Sequence, residues 1–318
     1  MASKTYSFKN VMTSQSVGST YDGRITPVFN YLNVVTQTYP NAVTAENFAA
    51  RLQTYIRSVN ASYTANNVLL ASSVCSDDVN GPIFPNKNNL GQMPFSLNAF
   101  LGPFMAGGLD GYPHTGTTGL LAYASHITSD TGGALLIYVA PHIGITKDGQ
   151  VGYMRRRGQN YNDLSATCGA AAAAAEWIFT NGVGGPAPVF PGTGLLANPS
   201  DYQFYTLVKA IYDNVGARTA ICATANFGEQ MVLATEAIRS AAYNIITSPV
   251  GGTSTFKLAY DNAFGASTPD VFLTTGTFIN VDDGYKAYAD VANFLKYNPT
   301  TGLFDDYTTQ FKQELYPD

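Results

Sequence analysis

The chain has 318 residues, of which 45% are hydrophobic and 12% are charged, and its formal net charge is −5. Soluble domains carry about 25% charged residues on average, and nucleic-acid binders need a basic patch, so the composition argues against a nucleic-acid-binding protein. Three cysteines in a chain of this length also exclude a disulfide-stabilised scaffold. We expect a globular protein with a large apolar core, no membrane span and no secretory signal peptide.

The first predicted element is a helix that begins at Thr44, where an N-capping side chain precedes apolar residues at intervals of three and four. Short apolar runs at 67–74 and 133–140 predict strands that are buried on both faces, as in a parallel sheet. Between them, residues 81–119 are rich in glycine, proline and asparagine and predict a loop that leads into a helix over 117–126.

The second half of the chain continues the alternation of strands and helices. Its predicted elements are a hairpin turn at Asp148–Gly149, a helix after Gly169, a helix at 201–217, a strand at 217–225, a helix at 229–243, a strand at 271–279 and a helix through Tyr288, Val291 and Leu295. This order predicts an α/β fold in which helices flank a mainly parallel central sheet. We expect a helical N-terminal extension over 1–60 and an α/β domain over 61–318.

Three residues with metal-binding side chains lie at predicted element ends. Cys75 and His142 each follow a buried strand, and Cys168 begins a helix. The carboxyl ends of parallel strands meet at one edge of a sheet, and a helix N-terminus favours a thiolate. Two thiolates and an imidazole suit zinc, and three protein ligands leave a fourth position open, as in catalytic zinc sites.

The spacing of these residues alone leaves other interpretations open. Either cysteine is also explained as a small core residue, the commonest environment of cysteine. A cysteine hydrolase, with Cys168 as nucleophile and His142 as base, is a further alternative. Metal analysis distinguishes the hydrolase from a zinc site. If the protein binds one zinc per chain and loses it in Cys75→Ser and Cys168→Ser, the thiol is not a free nucleophile.

Longer motifs resemble one family. A strand that ends in Cys-x-Asp, a later strand that ends in His, and a Cys-Gly pair that opens a helix resemble β-type carbonic anhydrases. This chain lacks the arginine that follows the aspartate in that class, and its His-to-Cys interval is longer. Over roughly residues 60–290, the segments VLLASSVCSDDVN, GGALLIYVAPHIGITKDGQVGYMRRRGQ, CGAAAAA and TGTFINVDDGY resemble the limiting-CO2-inducible protein B family, some members of which are called theta-class carbonic anhydrases.

The resemblance implies a role for each matching residue. It implies a zinc ion held by Cys75, His142 and Cys168, with Asp77 accepting a hydrogen bond from the zinc-bound water or swinging onto the metal as a fourth ligand. In the β class this aspartate pairs with an arginine. The triplet Arg155–Arg157 offers substitutes, with Arg156 as the first choice and Arg157 as the second, although a run of charges is also typical of a solvated surface.

The implied activity is the reversible hydration of CO2 to bicarbonate by a zinc-bound hydroxide. The alternative within the same family is a catalytically weak zinc-binding scaffold or assembly partner in CO2 concentration. The resemblance further implies a homodimer. The chain as given predicts a cytoplasmic location, or a plastid location if a transit peptide has been removed.

Other polar residues have simpler interpretations. His126 is expected at a helix end, where it is stabilised by the helix dipole or serves as a proton shuttle, and His114 is expected in a loop. Cys222 is predicted in the core. The pair Asp282–Asp283 is a rival carboxylate site, although the glycine that follows favours a turn or a helix cap.

Overall fold

The computed structural model describes residues 19–21, 24–26, 29–64, 67–75, 95–96, 132–156, 163–189, 199–247, 249–250, 253–265, 269–282 and 287–316. The strands are β1 Ser19–Tyr21, β2 Arg24–Thr26, β3 Val43–Thr44, β4 Val68–Val74, β5 Phe95–Ser96, β6 Ala134–Ala140, β7 His142–Ile145, β8 Tyr153–Met154, β9 Ser165–Ala166, β10 Pro249–Val250, β11 Thr253–Ser254, β12 Asp270–Val281, β13 Ala287–Asn298 and β14 Leu303–Asp306. The helices are α1 Leu32–Thr38, α2 Ala45–Val59, α3 Gly169–Asn181, α4 Pro199–Asp213, α5 Val215–Ala223, α6 Phe227–Thr247, α7 Thr255–Phe264 and α8 Thr308–Leu315.

A mixed sheet of eight strands forms the centre of the described chain. Six strands lie in the order β14-β13-β12-β6-β4-β5, while β3 pairs with β13 and β7 pairs with β12. The pairs β4–β5, β4–β6, β6–β12 and β7–β12 are parallel, whereas β13 is antiparallel to β12, β14 and β3. The prediction of a mainly parallel central sheet is therefore confirmed, with an antiparallel margin on one side.

Helices cover both faces of this sheet. On one face, α2 and α8 pack against β6, β12 and β13, and the shared core contains the rings of Phe48, Tyr138 and Phe311. On the other face, α3 and α6 pack against the ends of β7 and β12, and α7 packs farther along the same face. Covered strands lose the alternation of polar and apolar residues, and for this reason β6 is an uninterrupted apolar sequence in which all seven residues are buried.

Several of the predicted local elements are confirmed. Thr44 caps α2, because its hydroxyl oxygen accepts a hydrogen bond from the backbone N–H of Asn47 at 3.2 Å. The predicted turn forms between β7 and β8, where the Gly149 N–H donates to the Thr146 carbonyl at 2.9 Å and Gly149 has a φ of +81°. The helix predicted after Gly169 is α3 and that predicted at 229–243 lies within α6.

The strand predicted at 217–225 is wrong, because this segment is α5. Asn214 begins it as an N-cap whose side-chain oxygen accepts from the Ala217 N–H at 3.0 Å. The helix predicted at 201–217 accordingly ends at Asp213. A short apolar run fits a strand and a helix equally well, so its periodicity did not distinguish the two.

The helix predicted through Tyr288, Val291 and Leu295 is also wrong, because these residues belong to β13. The strand contains a β-bulge: Thr275 of β12 pairs with Asn293, but the next residue pairs with Val291, and one residue of β13 is skipped. The extra residue interrupts the period of two and produces intervals of three and four that imitate a helix. Val291 thus packs on the opposite sheet face from Tyr288 and Leu295.

Two further observations limit the description of the fold. The helix predicted over 117–126 lies outside the described residues. Among the helices that the structure does describe, none combines the length and the apolar character that crossing a bilayer requires.

Candidate metal centre

The side chains of Cys75, His142 and Cys168 converge on one point. One ligand atom of each, a thiol sulfur or an imidazole nitrogen, lies within 4.8 Å of the other two. All three residues are buried, with exposed fractions of 6%, 1% and 5% respectively. The described chain therefore contains a compact, water-shielded set of two sulfur atoms and one nitrogen atom, which is able to hold a metal ion.

The parallel sheet brings Cys75 and His142 together. β4 and β6 pair in register up to Val74 and Ala140, so both strands end at the same edge of the sheet. Cys75 follows β4 directly, whereas the chain after β6 shifts at Pro141 and continues as β7 beside β12. A polar side chain that follows each strand therefore lies at the carboxyl edge, where open α/β sheets place their ligand sites.

Cys168 reaches the same edge as the N-cap of α3. Its backbone is extended, with φ −109° and ψ 99°, and its carbonyl accepts the first helical hydrogen bond from the Ala172 N–H at 3.0 Å. The predicted position of this cysteine at a helix start is confirmed. The free N–H groups and the dipole of α3 favour negative charge on the thiol sulfur.

Close backbone packing fixes the distance between β7 and the segment that precedes Cys168. The Gly152 N–H donates to the Gly144 carbonyl at 2.8 Å, and the Thr167 N–H donates to the Gly152 carbonyl at 2.9 Å. A Cβ atom at Gly144 would overlap the Thr167 hydroxyl and would lie 2.5 Å from the Tyr153 carbonyl oxygen. The absence of a side chain at Gly144 thus allows the two ligand-bearing segments to approach each other.

The two ring nitrogens of His142 have different surroundings. Nδ1 lies 2.8 Å from Oδ1 of Asn280, a residue near the end of β12 that is 3% exposed. Nε2 is buried and has no hydrogen-bond partner among the described residues. A buried nitrogen without a partner costs free energy, and coordination of a metal ion by Nε2 would remove that cost.

The electrostatic surroundings of Cys75 favour the neutral thiol. The hydrogen bond with Cys168 and burial both raise the pKa of the Cys75 thiol above its ordinary value, and the nearby His142 imidazole lowers it by a smaller amount. Two thiol groups in so small a volume resist simultaneous ionisation. A divalent cation would supply the missing positive charge, because metal binding proceeds with release of the thiol protons.

Arg155 and Asp282 form a buried ion pair at the end of β12. The Asp282 side chain is fully buried and accepts hydrogen bonds from the Lys147 N–H at 3.0 Å, the Arg155 N–H at 2.8 Å and Nη1 of Arg155 at 2.7 Å. Nη2 of Arg155 binds the exposed carboxylate of Asp148 at 2.8 Å. This network ties the hairpin between β7 and β8 to the end of β12, which is a structural role of Asp282 that the sequence did not predict.

Arg156 extends along the segment that leads to Cys168. Its Nη2 donates to the Thr167 carbonyl at 2.6 Å and to the Ala166 carbonyl at 3.4 Å, and its Nε donates to the Ser165 hydroxyl at 3.3 Å. The guanidinium is partly buried and lies against the residue that precedes Cys168. Of the two described arginines in the triplet, Arg156 is therefore the one held beside a predicted ligand.

The remaining predicted site residues fall into two groups. Cys222 is partly exposed on α5, where its thiol donates to the Ile178 carbonyl at 3.5 Å, so the predicted core strand position is replaced by a helix surface that packs on α3. Five residues named in the sequence analysis lie outside the described residues: Asp77, His114, His126, Arg157 and Asp283.

Sequence reasoning missed Asn280, Gly144 and the role of Asp282. Each is polar or small at a place where the surrounding strand is apolar and buried, and that contrast is the signal that could have identified them. Asn280 interrupts the otherwise apolar end of β12 between Ile279 and Val281. The partners of these residues lie more than a hundred positions away or across a hairpin. The contrast in polarity or size therefore does not identify the partners.

A family model for the limiting CO2-inducible proteins B/C β carbonic anhydrases matches residues 42–294 of this chain. The match covers most of the sequence and includes Cys75, His142 and Cys168. The chain belongs to this family. The resemblance of its sequence motifs to the limiting-CO2-inducible protein B family is thereby confirmed.

Solved structures of the same family share the fold of this chain. The crystal structure of PtLCIB4, a homolog of the limiting CO2-inducible protein LCIB, aligns with a TM-score of 0.62 and 21% identity over 86% of this chain and 98% of that chain. The crystal structure of LCIB itself aligns with a TM-score of 0.56 and 17% identity, over 87% and 98%. A search of curated proteins finds no match.

Proposed function

We propose that this protein is a zinc-dependent carbonic anhydrase that hydrates CO2 reversibly to bicarbonate. The observation that carries the proposal is the buried convergence of Cys75, His142 and Cys168 within 4.8 Å, in a chain of a β carbonic anhydrase family. The donor set fits zinc: two sulfurs and one imidazole nitrogen bind this ion readily and leave one coordination position for a water or substrate. A zinc ion held there would lower the pKa of its bound water to about 7, which would supply a nucleophile at neutral pH.

The protein itself shields the candidate metal centre from water and orients the residues that would hold the metal. Cys75 and Cys168 belong to a buried apolar cluster that also contains Ile143 and Ala171, and apolar surroundings suit a small apolar substrate such as CO2. The segment before Cys168 is held rigidly by hydrogen bonds through Gly152 and Thr167. Such preorganisation holds a reacting group in the right position and orientation relative to its substrate. This positioning accounts for much of the rate enhancement by enzymes.

We further propose that Asp77 and an arginine complete the reaction centre. Asp77 follows Cys75 by two residues and would accept a hydrogen bond from the nucleophile, which orients its lone pair. The contact of Arg156 with the Thr167 carbonyl favours it as the partner of Asp77, because Arg155 is engaged by Asp282 and Asp148. Arg157 is the second choice.

The test is stopped-flow CO2 hydration with purified zinc-loaded protein, accompanied by metal analysis. We expect one zinc per chain and a rate well above that of buffer, with zinc lost in Cys75→Ser and in Cys168→Ser. Asp77→Asn should retain zinc and lose most of the activity, and Arg156→Ala should also lose activity. Cys222→Ser is the matched control, because this third cysteine lies on α5 and should leave zinc content unchanged.

The outcomes separate the candidate functions. A zinc-loaded protein without a rate above buffer would contradict the enzyme and favour a zinc-binding scaffold of the same family. A protein that binds no zinc would contradict both. Full activity in Asp77→Asn would remove that carboxylate from the mechanism and leave the zinc site in place.

A further inference from the structure

Asn280 makes a buried side-chain contact with the candidate metal centre that the family resemblance did not predict. Its Oδ1 lies 2.8 Å from Nδ1 of His142, and the exposed fractions of the two residues are 3% and 1%. The residues are 138 positions apart in the chain and meet only because β7 pairs with β12. Gly144 of β7 is the backbone partner of Asn280, and His142 is the partner of Phe278, so the contact joins two strands of fixed register.

The chemistry of this contact selects one tautomer of the imidazole. An amide oxygen only accepts hydrogen bonds, so Nδ1 of His142 must carry the proton. A neutral imidazole has one N–H, and Nε2 is then left with a lone pair. Nε2 is the buried ring nitrogen without a hydrogen-bond partner among the described residues. The Asn280 amide oxygen therefore assigns the proton to Nδ1, and the buried Nε2 is the ring nitrogen left available to a metal ion.

We propose that Asn280 is a positioning residue that holds His142 in the Nδ1–H tautomer with Nε2 directed towards the two thiols. The inference deepens the proposed function, because it rests on the same metal centre. The rotated amide would present its NH2 group to Nδ1, which would require the proton on Nε2 and would abolish coordination through that atom. The orientation of one amide and the ability of His142 to bind a metal are therefore coupled.

An amide differs in charge from the carboxylate that often supports a metal-binding histidine. Two thiolates already neutralise a divalent ion, so a buried carboxylate at this position would leave the centre with net negative charge. A neutral acceptor fixes the ring without adding charge. The substitution Asn280→Asp consequently keeps the acceptor, whereas Asn280→Leu removes it and retains similar volume.

The first experiment measures zinc affinity of the full chain by competition with a chromophoric chelator at one fixed pH. Loss of such an outer partner typically weakens metal affinity about 10–100-fold, and we expect a loss of that size in Asn280→Leu. Asn280→Asp should stay within a few-fold of the unsubstituted protein. The matched control is Asn293→Leu, because Asn293 is another asparagine of the sheet whose Oδ1 accepts a hydrogen bond, here from the Thr275 hydroxyl at 2.9 Å. Unchanged affinity in Asn280→Leu would overturn the proposal, as would an equal loss in Asn293→Leu.

The second experiment needs no substitution of Asn280 and decides the matter if that variant does not fold. Long-range ¹H–¹⁵N NMR distinguishes the two ring nitrogens of a ¹⁵N-labelled histidine. His114→Gln with His126→Gln leaves His142 as the sole histidine, because the chain has three. We expect protonated Nδ1 and unprotonated Nε2 before and after addition of zinc. Protonated Nε2 in the zinc-free protein would overturn the proposal.

These measurements separate the inference from the proposed function. If the protein binds zinc but does not hydrate CO2, the affinities and the tautomer still test Asn280. If it hydrates CO2 while Asn280→Leu binds zinc normally, the enzyme stands and the positioning role fails.

Discussion

Gly144 shows how one missing side chain sets the distance between two ligand residues. It lies on β7, two residues after His142, and its carbonyl accepts from the Gly152 N–H. Thr167, the neighbour of Cys168, packs its hydroxyl where a Cβ atom of residue 144 would be. A larger residue would therefore push the segment of Cys168 away from β7.

We expect Gly144→Ala to destabilise the protein by about 1–3 kcal/mol, since overpacking in a tightly packed core costs energy of this size. The added methyl group meets backbone at the Tyr153 carbonyl, which cannot move aside as a flexible side chain would. The free energy of unfolding in urea measures the effect. Gly184→Ala is the control, because nothing lies within 4 Å of a Cβ atom there, and equal stability of the two variants would contradict the steric argument.

At the scale of elements, the hairpin between β7 and β8 is held in place by its turn and by a buried ion pair between Arg155 and Asp282. The turn at Gly149 follows local backbone chemistry, and the sequence predicted it. The orientation of the hairpin relative to the sheet depends on Asp282, which lies at the end of β12 and binds two backbone N–H groups and the guanidinium of Arg155. No local pattern indicates this pairing, because its partners are 127 and 135 positions from Asp282 in the chain.

Arg155→Ala should lower the free energy of unfolding by about 3–5 kcal/mol, because removing one partner of a buried pair leaves an uncompensated charge. The Asp282 side chain is fully buried and that of Arg155 is 13% exposed. Asp148, the outer partner of the same guanidinium, has a side chain that is 53% exposed. Asp148→Ala should therefore lower the free energy of unfolding by less than about 1 kcal/mol. Urea denaturation of both variants checks the difference, and similar losses would show that the buried pair is not what fixes the hairpin.

At the scale of the whole molecule, Asp290 lies on β13 and interacts electrostatically with charged residues of both α6 and α8. Burial raises the pKa of its carboxyl above the ordinary value, Lys312 and Arg239 lower it in part, and Glu236 raises it. The folded protein therefore retains this proton to a higher pH than the unfolded chain does. Stability from this group is fully present below the unfolded pKa of about 3.9 and declines as the pH rises through the folded value.

Asp290→Asn should consequently increase the free energy of unfolding more at pH 7 than at pH 4, because it removes the cost of ionising a partly desolvated carboxyl. The gain should shrink as the pH falls towards about 4, because the unsubstituted carboxyl then becomes neutral as well. Urea denaturation at pH 7 and at pH 4 tests this. Glu176→Gln, on the exposed surface of α3, removes a charge without burial and should show no comparable gain.

The sequence by itself determined those features that depend on neighbouring residues. The apolar runs of β4 and β6, the Thr44 cap and the turn at Gly149 follow from side-chain and backbone preferences over a few positions. The metal-binding character of Cys75, His142 and Cys168 also follows from their chemistry, and their position after strands and before a helix already suggested a common edge.

Only the tertiary structure decided which groups meet across the sheet. Cys75 and His142 are 67 residues apart, and their meeting depends on the pairing of β4 with β6. The register of β12 places Asn280 against β7 and Asp282 against the hairpin. The bulge in β13 gave this strand the residue spacing of a helix. Strand pairing and register are set by the packing of both sheet faces together, so a single segment read in isolation does not contain that information.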